Sequence, residues 1–173
     1  MTTTSDLHVV ETRPLVPPAL LHKELPIDSE ALETVVSTRR KIKEILSGKD
    51  KRLLVIVGPC SIHHADIAID YANKLTKLIP EVEDKLLVVM RVYFEKPRTT
   101  VGWKGYINDP LLNGTYDVKQ GMAKARKFLL DVCDTGLPAA TEFLEPFAPQ
   151  YFGDLVSWGS IGARTPESQT PWL

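Results

Sequence analysis

Two uninterrupted apolar runs constrain the fold of this chain more than any other feature. The first, Leu53–Val57, ends at a Gly-Pro pair, and the second spans residues 86–90. Runs of this length without polar alternation predict strands that are buried on both faces. Residues 65–79, which lie between them, carry apolar side chains at helical spacing and are followed by Pro80. This order of strand, helix and strand predicts right-handed β-α-β units and a parallel sheet, either open or part of a barrel.

The pattern continues toward the C-terminus. The further predicted elements are a helix at 117–133, strands at 137–143 and 155–163, and at most a short helix at 149–154. The polar, glycine-containing stretch at 95–115 is too long for a simple connection, so we interpret it as a functional loop. The chain is therefore predicted to be an α/β protein.

The N-terminal region divides from the rest by composition. Residues 1–27 are polar and then proline-rich with no period that would bury a face, so they are predicted to form an arm that becomes ordered by lying on another surface. Residues 28–50 are predicted to form an extension helix that begins at Asp28-Ser29 and stops at Gly48. Its basic residues at 39–43 are predicted to lie mostly on the solvent side. Residues 51–173 are the predicted strand-and-helix unit.

Composition excludes several classes of protein. The chain has 173 residues, 43% of them hydrophobic and 25% charged, with a formal net charge of −1. A single core is expected, and no broad electrostatic footprint for nucleic acid or an anionic membrane is present. No apolar span of about 18 residues and no signal peptide is recognisable. The two cysteines, Cys60 and Cys133, form no C-x-x-C pair, which favours reduced thiols and a cytoplasmic location.

Polar residues gather where the predicted strands end. Ligands of parallel α/β proteins bind at the carboxyl ends of the strands, because connecting loops and helix N-termini meet there. Four cations follow these ends, namely Arg91, Lys96, Arg98 and Arg164. Taken singly, each is more often a solvated charge or part of a surface ion pair. Their shared edge favours one or two phosphate-bearing substrates.

Cys60 has two interpretations. A lone cysteine is most often a small buried hydrophobic residue, and Cys133, on an apolar helix stripe, is predicted to be one. Cys60 instead follows a Gly-Pro turn directly at a strand end, beside Ser61 and His63. A thiolate at that place could bind a divalent metal or act as a nucleophile.

Three segments together resemble one known family. Gly58-Pro59-Cys60-Ser61-Ile62-His63, the stretch MRVYFEKPRTTVGWKG at 90–105, and IGART at 161–165 with ESQ at 167–169 are similar to type I DAHP synthase. That family joins phosphoenolpyruvate to erythrose 4-phosphate in the shikimate pathway to aromatic amino acids. The resemblance runs from about residue 14 to Gln169 and implies a TIM (β/α)8 barrel with an N-terminal extension. Only about the first four strands are present here, so a half barrel is expected.

The resemblance implies roles for individual residues. Cys60 resembles a ligand of a divalent metal (Mn, Fe, Co or Zn), whose other ligands are expected to be absent from this chain. Catalytic and substrate-binding roles fall on Arg91, Lys96 and Glu142, with Lys96 near the reacting centre. Ala163 and Arg164 resemble further residues that hold phosphoenolpyruvate, and Lys96-Pro97-Arg98-Thr99 resembles the erythrose 4-phosphate segment. Pro149 and Gln150 resemble part of a regulatory site for an aromatic amino acid.

Two hypotheses for function follow. The first is a DAHP synthase whose activity resides in a full-length polypeptide, expected to be a homodimer or homotetramer, or in a complex that supplies the other half barrel. The second is a truncated, non-catalytic half barrel that binds phosphate ligands or associates with a full-length subunit. Four parallel strands cannot close into a barrel, so two sheet edges are expected to remain unpaired.

Overall fold

One parallel sheet organises the chain. The computed structural model describes residue 7, residues 11–96 and residues 102–162. Within these ranges four strands pair in the order β1-β2-β3-β4. They are β1 Leu53–Val57, β2 Leu86–Arg91, β3 Ala139–Phe143 and β4 Trp158–Ile161. The predicted α/β fold is confirmed, and all four carboxyl ends lie at the same edge of the sheet because every pair is parallel.

The helices follow the sequence pattern closely. They are α1 Pro18–Glu24, α2 Ser29–Leu46, α3 Ala65–Val82, α4 Val118–Asp134 and α5 Ala148–Phe152, the last followed by a 3-10 turn at Gly153–Leu155. Asp28 caps α2, since its side chain accepts a hydrogen bond from the backbone N–H of Ala31 at 2.8 Å. Pro80 lies inside α3 instead of ending it. A proline removes one backbone donor, and this helix continues past it for only two residues.

The core has three clusters among the described residues, and two of them cover opposite faces of β2. In β2, Met90 packs with Phe128 of α4 and Phe152 of α5 in the larger cluster. Its neighbour Val89 instead packs with Ile42 of α2 in a second cluster. Because successive side chains of a strand point to opposite faces, β2 is covered on both sides. This agrees with the prediction for its apolar run.

The first strand differs from that prediction. Leu53 is 65% exposed, and Ile56 and Val57 are more than one third exposed. The reason is topological, since β1 is an edge strand that pairs only with β2 among the described residues. Its apolar composition predicts the strand correctly, while its burial depends on what lies beside it. Ile161 of β4, at the other edge, is 46% exposed for the same reason.

The N-terminal segment lies on α4 and α5. The Tyr151 hydroxyl of α5 donates to the carbonyl of Val16 at 2.7 Å, and His22 of α1 lies 3.1 Å from the carbonyl of Tyr151. Arg126 of α4 donates to the carbonyl of Leu25 at 2.7 Å. The part of the predicted arm that the structure describes therefore rests on another surface, and it includes the short helix α1.

One member of the basic run of α2 has a structural role. Arg39 donates to the carbonyl of Val156 at 2.7 and 3.1 Å and to that of Gly153 at 2.8 Å. It thus ties α2 to the 3-10 turn, which occupies the start of the segment predicted as a strand at 155–163. Arg39 is exposed, as predicted for the basic face of α2, and it also makes these backbone contacts. The strand β4 is shorter than predicted.

No helix in the described part of the chain combines the length and the apolar character needed to cross a membrane.

Candidate functional site

The end of β1 approaches the end of β2 closely. A Cβ atom placed on Gly58 would lie 2.5 Å from the carbonyl oxygen of Arg91 and 3.0 Å from its backbone nitrogen. Only glycine allows the chain to turn here without displacing β2. This turn brings the segment that contains Cys60 over the end of the neighbouring strand.

Cys60 and Lys96 meet at this edge. The Lys96 Nζ atom lies 2.7 Å from Cys60 Sγ and 3.4 Å from the Cys60 carbonyl oxygen. Cys60 is exposed and Lys96 half-buried. The two residues lie 36 positions apart in the chain, so the contact depends on the pairing of β1 with β2. The structure therefore brings together two of the residues that the sequence singled out.

Lys96 is held by a small antiparallel ribbon within the long loop. Glu95 and Gly105 form an antiparallel bridge, and the Lys96 N–H donates to the Lys104 carbonyl at 3.0 Å. The Tyr106 N–H donates to the Phe94 carbonyl at 2.5 Å. Gly105 has a φ of +114°, and a Cβ atom there would lie 2.5 Å from the Glu95 Cα. The ribbon therefore requires glycine at position 105.

Arg91, the last residue of β2, presents an unused donor. Its guanidinium carbon lies 3.9 Å from the centre of the Tyr93 ring, which fixes the side chain by a cation–π contact. Its Nε atom is buried and has no hydrogen-bond partner among the described residues. A buried, unpaired guanidinium N–H is costly unless a ligand satisfies it, and phosphate or carboxylate oxygens match its geometry.

Three carboxylates gather on the other side of the ribbon. Glu95, half-buried, accepts a hydrogen bond from Asn108 Nδ2 at 3.2 Å. Burial raises the pKa of Glu95 to about 7, and the negative charges of Glu145 and Glu142 act in the same direction. Glu142, predicted as a site carboxylate, lies in β3 and is half-buried.

Sequence reasoning missed Glu95 as a site residue. The signal in the sequence was its position directly before Lys96. Side chains of neighbouring residues in an extended segment point to opposite sides, so Glu95 could be expected on the side opposite Lys96.

The remaining predicted site residues lie either outside the described residues or in α5. Pro97, Arg98, Thr99, Ala163 and Arg164 lie outside the described residues. Pro149 and Gln150 lie in α5. Pro149 lines an open cleft of about 420 Å³ together with Arg39, Phe143 and Trp158. This cleft is separate from the contact between Cys60 and Lys96.

Cys60 is the residue at this edge that suits a transition metal, since thiolates bind divalent first-row ions well. Within residues 11–96 and 102–162, no group of three or more His, Cys, Asp or Glu side chains is arranged to hold a metal ion. The described residues thus fit one position of a metal site and do not complete it.

The two cysteines are expected to differ sharply in reactivity. Burial raises the pKa of the Cys133 thiol to about 12, and only 2% of that residue is exposed, whereas Cys60 is exposed. Because the thiolate is the reactive form and burial both suppresses it and shields the sulfur, iodoacetamide at pH 8 should label the folded chain at Cys60 at least about a hundredfold faster than at Cys133. Peptide mass spectrometry after timed labelling measures both rates. Comparable rates at the two positions in the folded chain would contradict the burial of Cys133, and labelling in denaturant is the control in which both should react.

Comparison with known proteins identifies a single family. Residues 24–171 match the family described as "DAHP synthetase I family". A phospho-2-dehydro-3-deoxyheptonate aldolase of Amycolatopsis methanolica is 56% identical over 156 residues, which is 90% of this chain and 77% of that protein. The Phe-sensitive phospho-2-dehydro-3-deoxyheptonate aldolase of Escherichia coli K12 is 54% identical over 164 residues, which is 95% of this chain and 47% of that protein.

A solved structure agrees in fold. The phospho-2-dehydro-3-deoxyheptonate aldolase of Francisella tularensis SCHU S4 superposes with a TM-score of 0.89 at 48% identity and covers 93% of this chain and 47% of its own. The chain thus spans about half the length of this structure and of the E. coli relative. Its four-stranded parallel sheet corresponds to part of a TIM barrel, as the resemblance implied.

Proposed function

The chain belongs to the DAHP synthetase I family, and on that premise we propose that it supplies the phosphate-binding half of a DAHP synthase. The whole protein would condense phosphoenolpyruvate with erythrose 4-phosphate and release phosphate. The observation that carries the proposal is the contact between Cys60 and Lys96, 2.7 Å apart across two neighbouring strand ends. The buried Nε donor of Arg91, which has no partner in the described part of the chain, supports it.

We propose roles for the site residues, both those within the described ranges and those outside them. Arg91 binds a phosphate or carboxylate oxygen of phosphoenolpyruvate through its unpaired donor. Lys96 lies close enough to Cys60 to stabilise negative charge that develops between the substrates. Glu142, which lies in β3, is proposed to act as a carboxylate near the phosphoenolpyruvate end. Arg98 and Thr99 are proposed to bind erythrose 4-phosphate, and Ala163 and Arg164 to bind phosphoenolpyruvate.

The cations make the chemistry possible by holding two anions together. Carbon three of phosphoenolpyruvate must attack an aldehyde, which requires both phosphorylated substrates within reach of each other despite their repulsion. Lys96 and Arg91 offset that repulsion at one edge, where the protein excludes part of the solvent. Water then attacks carbon two, and phosphate leaves.

A divalent ion would be held partly by Cys60, with its other ligands outside the described residues. Such an ion supplies Lewis-acid polarisation of the aldehyde carbonyl. We also propose a cytoplasmic location, because a chain with two cysteines and no C-x-x-C pair suits a reducing compartment.

Reconstitution tests the proposal. The chain is co-expressed with, or fused to, the C-terminal half of the E. coli Phe-sensitive relative, and loss of phosphoenolpyruvate absorbance is followed with erythrose 4-phosphate and Mn²⁺. We expect turnover in the reconstituted protein that neither half shows alone, and its loss in the Cys60→Ala variant. Absence of turnover in both the mixture and the fusion, when both are folded by circular dichroism, would reject the proposal. Turnover by this chain alone would reject the alternative of a non-catalytic half barrel.

The alternative predicts a different outcome of the same assay. The exposed edge strands β1 and β4 can pair with another chain. A half barrel that only associates with a full-length subunit would co-purify with the C-terminal half and bind phosphoenolpyruvate weakly without turning it over. The reconstitution assay separates the two hypotheses.

Regulation provides a further prediction. We propose that Pro149 and Gln150 form part of a site for an inhibitory aromatic amino acid in a homo-oligomeric full-length protein. In the reconstituted protein, Pro149→Leu should raise the inhibitor concentration needed for half inhibition about tenfold or more, as expected for the loss of one well-packed contact. Turnover without inhibitor should stay unchanged, because the cleft is separate from Cys60 and Lys96. Inhibition is measured with Phe, Tyr and Trp in turn, and unchanged sensitivity to every one of them would remove this segment from the regulatory site.

A further inference from the structure

We propose that Glu95 is a positioning residue that anchors the Lys96 ribbon from the opposite side and does so as a neutral acid. Only the expected effect of Glu95 on anion binding rests on the proposed function. The structural part of the inference concerns the contacts of Glu95 in this chain.

The geometry of the ribbon places Glu95 and Lys96 on opposite sides. Successive side chains in an extended segment alternate, and Glu95 is the residue bridged to Gly105. Lys96 reaches toward Cys60 across the mouth of the sheet. Glu95 instead contacts Asn108, whose Nδ2 atom also lies 3.4 Å from the Lys104 carbonyl. The Glu95 carboxyl therefore fixes both strands of the ribbon through one amide.

The same carboxyl contacts the end of β3. Leu144 donates a backbone hydrogen bond to Glu95, which favours the charged form, but burial and the charges of Glu145 and Glu142 outweigh it. Glu145 cannot move away easily, since it accepts hydrogen bonds from the N–H groups of Phe147 and Ala148 at 2.6 and 2.5 Å. Glu95 thus joins the long loop to the segment after β3.

The protonation state of Glu95 matters because two other carboxylates lie nearby. Glu142 and Glu145 face Glu95 from β3 and the segment after it, and the Lys104 carbonyl shares the Asn108 amide with Glu95. A third ionised carboxylate would add negative charge to the ribbon that carries Lys96. As a neutral acid, Glu95 keeps its hydrogen bonds without that charge. With a pKa of about 7, Glu95 is neutral below neutral pH and becomes charged as the pH rises through 7.

The first experiment needs no substrate. Carboxyl-labelled protein is titrated by NMR, together with the backbone amides of Lys96, Gly105 and Asn108. We expect the Glu95 carboxyl to titrate near neutral pH and these amides to shift with it. Glu95→Gln should preserve the amide positions seen at low pH, whereas Glu95→Ala should displace them. A Glu95 carboxyl that titrates near the ordinary Glu value, or equal amide changes in the Gln and Ala variants, would overturn the inference.

The second experiment measures the consequence for anion binding in the reconstituted protein. From pH 6 to pH 8, the KM for phosphoenolpyruvate should rise about three- to tenfold more in the native chain than in Glu95→Gln, as expected for one added charge at several ångströms near a protein surface. Comparison at each pH cancels the titration of phosphoenolpyruvate itself, and kcat should differ little between the two. The matched control is Glu81→Gln, which removes an exposed carboxylate of α3 and should leave the native pH profile unchanged.

The two experiments distinguish failure of the inference from failure of the proposed function. Lack of turnover in every variant contradicts the proposed function and leaves the NMR result to decide the role of Glu95. Turnover with identical KM profiles for the native chain and Glu95→Gln overturns the inference and leaves the proposed function standing.

Discussion

Replacing Arg126 by Ala is expected to lower the free energy of unfolding by about 3–5 kcal/mol, the range for removal of one partner of a buried ion pair. The Arg126 side chain is 1% exposed and donates to both carboxylate oxygens of Asp154, at 2.7 and 3.0 Å. It also donates to the carbonyls of Leu25 and Tyr151, at 2.7 and 2.9 Å. Truncation would leave the Asp154 charge and two carbonyls without these donors and open a cavity beneath α1. Denaturant unfolding followed by circular dichroism measures the loss.

The adjacent residue provides the control. Lys127 pairs with Asp131 on the solvent side of the same helix, and its side chain is 57% exposed. Lys127→Ala should therefore cost only about 0.3–0.5 kcal/mol, as exposed helical ion pairs do. If Arg126→Ala is too unstable to purify, Asp154→Asn, which keeps an acceptor for Arg126, should show an intermediate loss. Equal stabilities for the Arg126 and Lys127 variants would show that Arg126 does not hold the N-terminal segment in place.

Lys96→Ala should reduce turnover of the reconstituted protein about 10²–10³-fold, the usual cost of removing one group that stabilises developing charge. Lys96 is proposed to serve both substrates, and its Nζ atom already lies beside Cys60. Substrate affinity should fall as well. Steady-state kinetics, with phosphoenolpyruvate and erythrose 4-phosphate varied in turn, separate the two effects.

Arg98→Ala is the matched comparison for Lys96→Ala. Arg98 is proposed to bind only the sugar phosphate, so its loss should raise the KM for erythrose 4-phosphate about ten- to a hundredfold, the equivalent of one charge-assisted hydrogen bond. Turnover at saturation should change less, because uniform binding alters apparent affinity and not the chemical barrier. Near-normal turnover for Lys96→Ala together with abolished turnover for Arg98→Ala would reverse the proposed roles.

The elements of this fold could be predicted because their signals are local. The apolar run Leu53–Val57 is the strand β1 at the predicted residues, and Asp28 caps α2 where the capping pattern placed it. Such patterns depend on side chains within a turn or two of each other. The order of strands and helices then implies a parallel sheet and one edge at which the strand ends meet. The contact between Cys60 and Lys96 agrees with that expectation.

Residues whose roles depend on distant partners could be predicted less well from the sequence. Arg126 lies on the apolar stripe of α4, four residues after Met122 and three before Leu129, where a charge conflicts with the helical pattern. That conflict signals a buried pair, but its partner, Asp154, lies 28 residues away and could not be identified from spacing. The contact of the exposed Arg39 side chain could not be predicted for the same reason, since it bonds to a carbonyl 117 residues away.

The sequence by itself determined the α/β class, the positions of the strands and helices, the family and the candidate cations at the strand ends. Only the tertiary structure decided that β1 is an exposed edge of the described sheet, that the buried Arg91 Nε atom has no partner among the described residues, and that Glu142 and Glu145 lie near enough to raise the pKa of Glu95. Secondary structure follows from periodicity along the chain, whereas exposure and pKa depend on which surfaces and charges the fold brings within a few ångströms of each other.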